Sequence, residues 1–386
     1  MVTPPLSRRH FLASGAAVLA WAAVPGLAVA QAATAKRFVF VIQRGAADGL
    51  GTIAPTGDPA FAGLRGPFAE DFAGGARLGD FFSLHPNMTE AARLYGTNEA
   101  LFVHAVASPY RERSHFDGQN VLETGGNAAY VLRDGWMNRL LALLPVGDAK
   151  AMAVAATIPM LLRGQREVAS YAPSALPDAS DDLLARVTAM YEPDRQLHGL
   201  WSQAMQTRML TGDMTGGNGR NAAAMGEIAA RLLGPDGARL AVIESGGWDT
   251  HANQRGRLGL QLRGLDGMIG ALKTGLGPAW ADTLVIVATE FGRTAAPNGT
   301  GGTDHGTASA AMLFGGAVQG GRVIADWPGL ATAQLHEGRD LRPTLGLDAL
   351  ITSAVAQHYG LDFRRTAAAL FPNGQALRPV EGLLRV

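Results

Sequence analysis

Thr283-Leu284-Val285-Ile286-Val287-Ala288, followed at once by Thr289-Glu290-Phe291-Gly292-Arg293-Thr294, is the stretch that decides the fold. Six residues without a charge, four of them β-branched, read as a strand buried on both faces, the habit of parallel sheets. The polar, Gly-containing segment that follows reads as a loop at the strand's carboxyl end. Similar runs recur outward from it: Arg37 to Ile42, Ala100 to Val106, Ala151 to Ala156, Leu240 to Ile243 and Ala311 to Phe314. Between them lie helical stretches at 88–96, from Ser114 toward Glu123, at 136–144 and at Leu347–Tyr359. The clearest helix carries Leu258, Leu262, Leu265, Ile269 and Leu272 at steps of three and four. Strand and helix in alternation predict an α/β fold, a mostly parallel central sheet with helices on both faces.

Residues 31–386 are expected to form one domain, with a helical insertion around 180–233 that a Gly/Asn-rich loop interrupts at Thr215–Asn221. Residues 1–30 read as a targeting segment. Arg8-Arg9 precedes an apolar run from Phe11 to Leu27, broken by Pro25-Gly26, and Ala28-Val29-Ala30 is a small-x-small cleavage site. A positive start, a short apolar middle and a small-residue end make a secretory signal, and the paired arginines make it a twin-arginine one. The expected localisation is therefore periplasmic or secreted, with the twin-arginine translocase as partner during export and no stable membrane span after cleavage.

The chain has no cysteine, which excludes thiolate ligands, iron–sulfur clusters and a Cys nucleophile. Any metal must be held by His, Asp, Glu or hydroxyl oxygens. A formal net charge of zero with no basic block argues against a nucleic-acid partner. Glycine supplies 50 of 386 residues, nearly twice the usual share, without a fixed period. That pattern predicts many tight loops.

In an open α/β sheet, ligands bind beyond the carboxyl ends of the strands, so the residues just after each strand matter most. After the first comes Asp48, a metal carboxylate or a turn cap. After the second comes Arg113-Ser114-His115-Phe116, in which Ser114 is a helix cap or a nucleophile and Arg111 or Arg113 could hold an anion. Asp249 and His251 stand two apart in a Gly-bounded loop and can reach one cation, or simply pair with each other. Glu290 sits at a strand tip, and Asp304-His305 in the same long loop forms a second carboxylate–imidazole pair. The remaining histidines, His85, His104, His198, His336 and His358, read as structural.

The motifs Arg44-Gly45-x-x-Asp48-Gly49-Leu50, Arg113-Ser114-His115-Phe116, Gly247-Trp248-Asp249-Thr250-His251, Glu290-Phe291-Gly292-Arg293 and Gly302-Thr303-Asp304-His305-Gly306 together resemble a bacterial family known as domain of unknown function 1501. That family is grouped by fold with the alkaline phosphatase and sulfatase superfamily. The resemblance implies a three-layer sandwich with a metal site at the carboxyl edge of the sheet. It implies one or two divalent ions, zinc first among them, on Asp48, Asp249, His251, Glu290, Asp304 and His305. It implies a Ser114 nucleophile, with Arg113 or Arg293 neutralising the transferred group. The substrate class is a small anionic ester, phosphate before sulfate, because Ser114 lacks the Pro- and Arg-containing motif of formylglycine sulfatases. Asp249 and His251 are more closely spaced than the superfamily's pair, and Phe291 stands where a His usually follows the strand-tip acid. A non-catalytic periplasmic protein that binds a glycan, a lipid head group or a protein partner is the other expectation.

Overall fold

The computed structural model describes residues 35–385 except 146–147, 149, 173–180, 195–196, 203, 206–221, 236 and 375. The expected signal at 1–30 and the expected loop at Thr215–Asn221 lie outside the described residues. The strands, in chain order, are β1 Arg37–Gln43, β2 Ile53–Ala54, β3 Arg77–Leu78, β4 Phe82–Leu84, β5 Ala100–Ala107, β6 Ala151–Val154, β7 Ala169–Tyr171, β8 Leu240–Ser245, β9 Thr283–Thr289, β10 Ser309–Phe314, β11 Arg322–Ile324 and β12 Leu345–Gly346. Eight of them line up in the order β11-β5-β10-β9-β1-β8-β6-β7, with β12 also on β5, while β2, β4 and β3 form a small separate sheet.

Alternate residues of the continuous apolar runs feed two cores, as the pleat requires. Val39 and Val41 join Ile228, Leu262, Ile269 and Leu272 on one face. Phe38, Phe40 and Ile42 join Trp136, Leu140, Leu350 and Val355 on the other. The helices Gln254–Leu276 and Ala222–Leu232 thus cover the first face, and Trp136–Leu143 and Leu347–Tyr359 the second. This is the expected α/β sandwich in three layers. The helix Ala222–Leu232, placed by the sequence in an insertion, is a layer of the sandwich itself, with Ile228, Ala229 and Leu232 buried.

β10 departs from the parallel pattern. It runs antiparallel to both β5 and β9, whereas β1 is parallel to β8 and β9. An apolar run carries no mark of its own direction, so composition does not distinguish the two pairings. β9, β1 and β8 end level with one another, Gln43 facing both Thr289 and Ser245. Their exit loops therefore emerge side by side. β10 begins at that same edge, Ser309 lying opposite Val106 of β5. Among the described residues, no helix is long and apolar enough to cross a membrane.

A candidate metal centre at the carboxyl edge of the sheet

Three histidines and one aspartate converge over this edge. His251 follows β8, His305 lies between β9 and β10, and His115 opens the helix His115–Thr124 that follows β5. Asp249 Oδ1 lies 3.0 Å from His251 Nε2 and 3.4 Å from His305 Nε2, and Asp249 Oδ2 lies 3.5 Å from His115 Nε2. His251 Nε2 and His305 Nε2 are 3.0 Å apart. His115, Asp249 and His305 offer ligand atoms within 4.8 Å of one another. Nitrogens and oxygens about 2 Å from one tetrahedral zinc stand about 3.3 Å apart, so the separations of 3.0–3.5 Å match such edges, while His251 lies outside the trio whose ligand atoms are all within 4.8 Å of one another.

Each imidazole is tethered through its other nitrogen. His115 Nδ1 meets Glu290 Oε1 at 2.8 Å, His251 Nδ1 meets Asp304 Oδ1 at 3.2 Å, and His305 Nδ1 meets the Arg113 carbonyl at 2.9 Å. An acceptor at Nδ1 fixes the proton there and leaves the Nε2 lone pair free, the arrangement that orients metal-ligating histidines. His115 Nε2 is buried and has no hydrogen-bond partner. A buried polar atom left unpaired costs about 1–3 kcal/mol, and a cation at the cluster would remove that cost. The residues present therefore fit a divalent ion.

The electrostatics agree. The hydrogen bond that His115 donates to Glu290 holds its imidazole above the ordinary range. Burial pushes His305 down, aided by His115 when that ring is protonated and by the Arg293 guanidinium. Burial would raise Asp249 and Glu290, but Arg293 with the nearby imidazoles holds Asp249 low, and His115 together with the Glu290 and Gly45 backbone N–H groups and the Thr289 hydroxyl holds Glu290 low. Asp304 is held low chiefly by Asn298. Three carboxylates set against the one inward guanidinium of Arg293 leave the cluster net negative, which suits a cation.

The expected ligands divide. Asp249, His251 and His305 are in the cluster. Glu290 is fully buried and does not reach its centre; it accepts from Gly45 N at 2.9 Å, from Thr289 Oγ1 at 2.9 Å and from His115. Asp304 likewise holds His251 and accepts from Asn298 Nδ2 at 3.0 Å. Asp48 stands apart. It is the N-cap of the short helix Gly49–Thr52, and its oxygens take Gly51 N at 3.0 Å, Arg65 Nη2 at 2.5 Å and Gln254 Nε2 at 2.5 Å. The turn-capping alternative describes it, and the buried Arg65 explains why the carboxylate points inward.

The arginines also differ from expectation. The Arg113 guanidinium is paired with Asp340 at 2.8 Å and Glu337 at 2.6 Å. Its service to the cluster is the backbone carbonyl, presented by a left-handed φ of 62°. Arg293 is 1% exposed and clamps Asp249 Oδ1 at 2.5 Å while its Nε donates to Thr303 Oγ1 at 3.1 Å. It positions a ligand and does not face solvent. Ser114 is half-buried at the start of the helix, beside His115, and its side chain makes no capping bond.

Sequence reasoning passed over His115 as a ligand, although it sat inside a motif already singled out. It also passed over Gln254. That buried side chain joins the two ligand loops, its Oε1 accepting from Thr250 Oγ1 at 2.8 Å and Thr303 Oγ1 at 2.6 Å. Backbone contact seals the same seam: Thr303 N donates to Thr250 O, and a Cβ at Gly302 would collide with the His251 carbonyl. His104 and His358 are core residues as expected, bound to the carbonyls of Ile53 and Arg37.

No curated protein sequence matches this chain. Among solved structures, the chain is similar to the PsFucS1 sulfatase from Pseudoalteromonas sp., at 15% identity and a TM-score of 0.35, covering 97% of this chain and 78% of that one. It is similar to the C-terminal periplasmic domain of EcEptC from Escherichia coli in complex with Zn, at 10% identity and a TM-score of 0.40, covering 92% and 93%. It is also similar to a phosphonate monoester hydrolase of Agrobacterium radiobacter, at 12% identity and a TM-score of 0.32, covering 85% and 84%. Residues 35–370 match the family described as protein of unknown function DUF1501, and the chain belongs to that family.

Proposed function

We propose that this protein is an exported, metal-dependent hydrolase of small anionic esters, phosphate before sulfate. One divalent cation, zinc by the chemistry of the donors, is held by His115, His251, His305 and Asp249. The observation that carries this reading is the tethering of all three imidazoles through Nδ1 while their Nε2 atoms gather around one carboxylate.

A bound divalent ion would polarise an ester oxygen and lower the pKa of a nucleophile. Every other contribution belongs to side chains. Glu290, Asp304 and the Arg113 carbonyl hold the rings in register. Arg293 fixes Asp249 with one oxygen toward His251 and His305 and the other toward His115. His251 and Asp249 are 46% and 40% exposed at their side chains, so a substrate can approach from that side. Ser114, uncommitted as a cap and next to His115, is the hydroxyl assigned to attack the transferred group. Arg8-Arg9 and the apolar run after them support twin-arginine export.

One observation favours the other reading, an exported non-catalytic protein that keeps the fold and binds a glycan, a lipid head group or a protein. Both arginines expected to neutralise the transferred group are already paired with carboxylates. The two readings part in one experiment: elemental analysis of the purified protein, then turnover of 4-nitrophenyl phosphate and 4-nitrophenyl sulfate by wild type, Ser114→Ala and His115→Ala. The hydrolase predicts about one zinc per chain, phosphate turnover lost in both variants, and metal lost only in His115→Ala. A metal-free, inert wild type overturns the hydrolase and leaves the second reading.

A further inference from the structure

The helix His115–Thr124 opens on Ser114-His115-Phe116-Asp117, the spacing of a capping box. In an ordinary box the N-cap hydroxyl accepts from the backbone N–H three residues on, and the acid at that third position reaches back to the N-cap N–H. Here the Ser114 side chain makes no capping bond. Asp117 is one carbon shorter than the glutamate usual at its position, and the phenol of Tyr110 stands in the gap. Ser114 N donates to Tyr110 Oη at 3.1 Å, and Tyr110 Oη faces Asp117 Oδ2 at 3.5 Å, the outer limit of a hydrogen bond. The Tyr130 phenol meets the same carboxylate.

Tyr110 is itself fixed. Ser108 Oγ accepts from its backbone N at 3.3 Å and donates to the Glu290 carbonyl at 3.2 Å. Its buried ring lies 6.4 Å from that of Phe291, which stacks on His115 at 5.1 Å. A Cβ at Gly118 would come within 2.9 Å of Phe291 and 3.2 Å of Tyr110, so a glycine there lets the helix sit this close. The phenol meets one peptide group, and that group serves the metal site. Its N–H is that of Ser114 and its oxygen that of Arg113, and the oxygen accepts from His305 Nδ1 at 2.9 Å.

We infer that Tyr110 is a positioning residue of this site, acting on His305 and Ser114 through the peptide between Arg113 and Ser114. This inference rests on the ester-hydrolase reading and deepens it. A peptide group is planar, so fixing the direction of the Ser114 N–H fixes that of the Arg113 carbonyl on its opposite edge, and with it the His305 ring. The same bond anchors the backbone of Ser114, which carries the hydroxyl assigned to attack. The phenol makes the acid's half of the capping box, and the serine's half stays open. Tyr110 takes no part in bond breaking.

The test compares wild type, Tyr110→Phe, and Tyr110→Phe combined with Asp117→Glu, each as the full chain. Phe keeps the ring and removes the acceptor, while Glu is long enough to reach the Ser114 N–H directly, as in an ordinary box. Zinc affinity, read by competition with a chelating dye, is expected to fall about tenfold in Tyr110→Phe and to return to within about twofold of wild type in the double variant. With zinc saturating, kcat for 4-nitrophenyl phosphate is expected to fall about tenfold in Tyr110→Phe at a KM changed less than about twofold, and to recover with the glutamate. Zinc affinity and kcat unchanged in Tyr110→Phe, whatever its melting temperature, make the phenol a packing residue; that overturns the inference and spares the hydrolase. A loss that the glutamate leaves unrepaired traces to the fold rather than to the N–H and overturns it too. A wild type that binds zinc without turnover overturns the hydrolase alone, and the zinc affinities then decide the role of Tyr110. A wild type that binds no zinc overturns both.

Discussion

His251 Nε2 and His305 Nε2 face each other across 3.0 Å, each on a ring whose Nδ1 already has an acceptor. With the protons fixed on Nδ1, two lone pairs confront one another, an arrangement that repels unless something positive lies between them. A divalent ion answers that, and binding to the folded state alone must stabilise the fold. Adding zinc to metal-stripped protein is expected to raise the melting temperature, by about 1–2 °C for each kcal/mol gained in a domain of this size. His251→Ala or His305→Ala is expected to abolish the shift. An unchanged melting temperature with zinc in excess would dispose of the metal centre.

Glu290 acts through His115. Replacing it with Gln keeps the volume, and the amide oxygen can still meet Gly45 N and His115 Nδ1 with the NH2 toward Thr289 Oγ1, but the negative charge behind His115 is lost. Zinc affinity is expected to fall about 10–100-fold, as for other partners that orient a ligand. Competition with a chelating dye measures it. If Glu290 were itself a ligand, the loss would match that of His115→Ala instead.

Asp48 separates the two sequence-level readings of the first loop. In Asp48→Asn the buried Arg65 guanidinium loses its counter-ion, a change that costs about 3–5 kcal/mol. The variant is expected to unfold at markedly lower denaturant while its folded fraction keeps a full complement of zinc. A stable variant without metal would restore Asp48 as a ligand.

Gln254→Met removes the acceptor shared by Thr250 and Thr303 and the donor to Asp48. Loss of these buried hydrogen bonds is expected to cost about 2–3 kcal/mol of stability. Because the two ligand loops would lose register, zinc affinity is expected to drop about tenfold in addition. Equal metal affinity in the variant would make Gln254 a purely structural residue.

His104 and His358 predict an acid-sensitive fold. Burial pushes His104 down to about 4 and His358 down to about 3. Both are neutral when folded and regain their ordinary value near 6.5 when unfolded. The unfolded chain thus binds more protons below that value, so stability is complete above about pH 6.5 and is lost as the pH falls toward 4, by roughly 3 kcal/mol for each histidine. Urea midpoints measured in metal-free buffer across this range should decline, and the decline should be shallower in His358→Gln. An identical decline in that variant would show that His358 does not contribute.

The legible and illegible parts of this molecule differ in kind. Leu284–Ala288 and Phe38–Ile42 announced themselves because a strand buried on both faces has little room for polar residues. The loops after them stood out because carboxylates and imidazoles clustered there. What a linear pattern does not carry is the direction of a side chain. Asp48 turns inward because Arg65 and Gln254 are there to meet it. Arg113 serves through its carbonyl because its guanidinium finds Asp340. His115 was hidden by its neighbours, an adjacent serine and two arginines of more familiar catalytic type. The reversed pairing of β10 depends on contacts with β5 and β9 that no local run of residues encodes.

That reversed strand has a consequence for how the molecule can change. The chain leaves β9 and re-enters the sheet through β10 at the same rim. No helix has to be crossed on the way, so Glu290, Arg293, Asp304 and His305 ride on an excursion with both feet planted in rigid ground. The two strands fix only its ends, so the aim of those four side chains depends on what the excursion touches on its way, Thr250, Gln254 and Asp340.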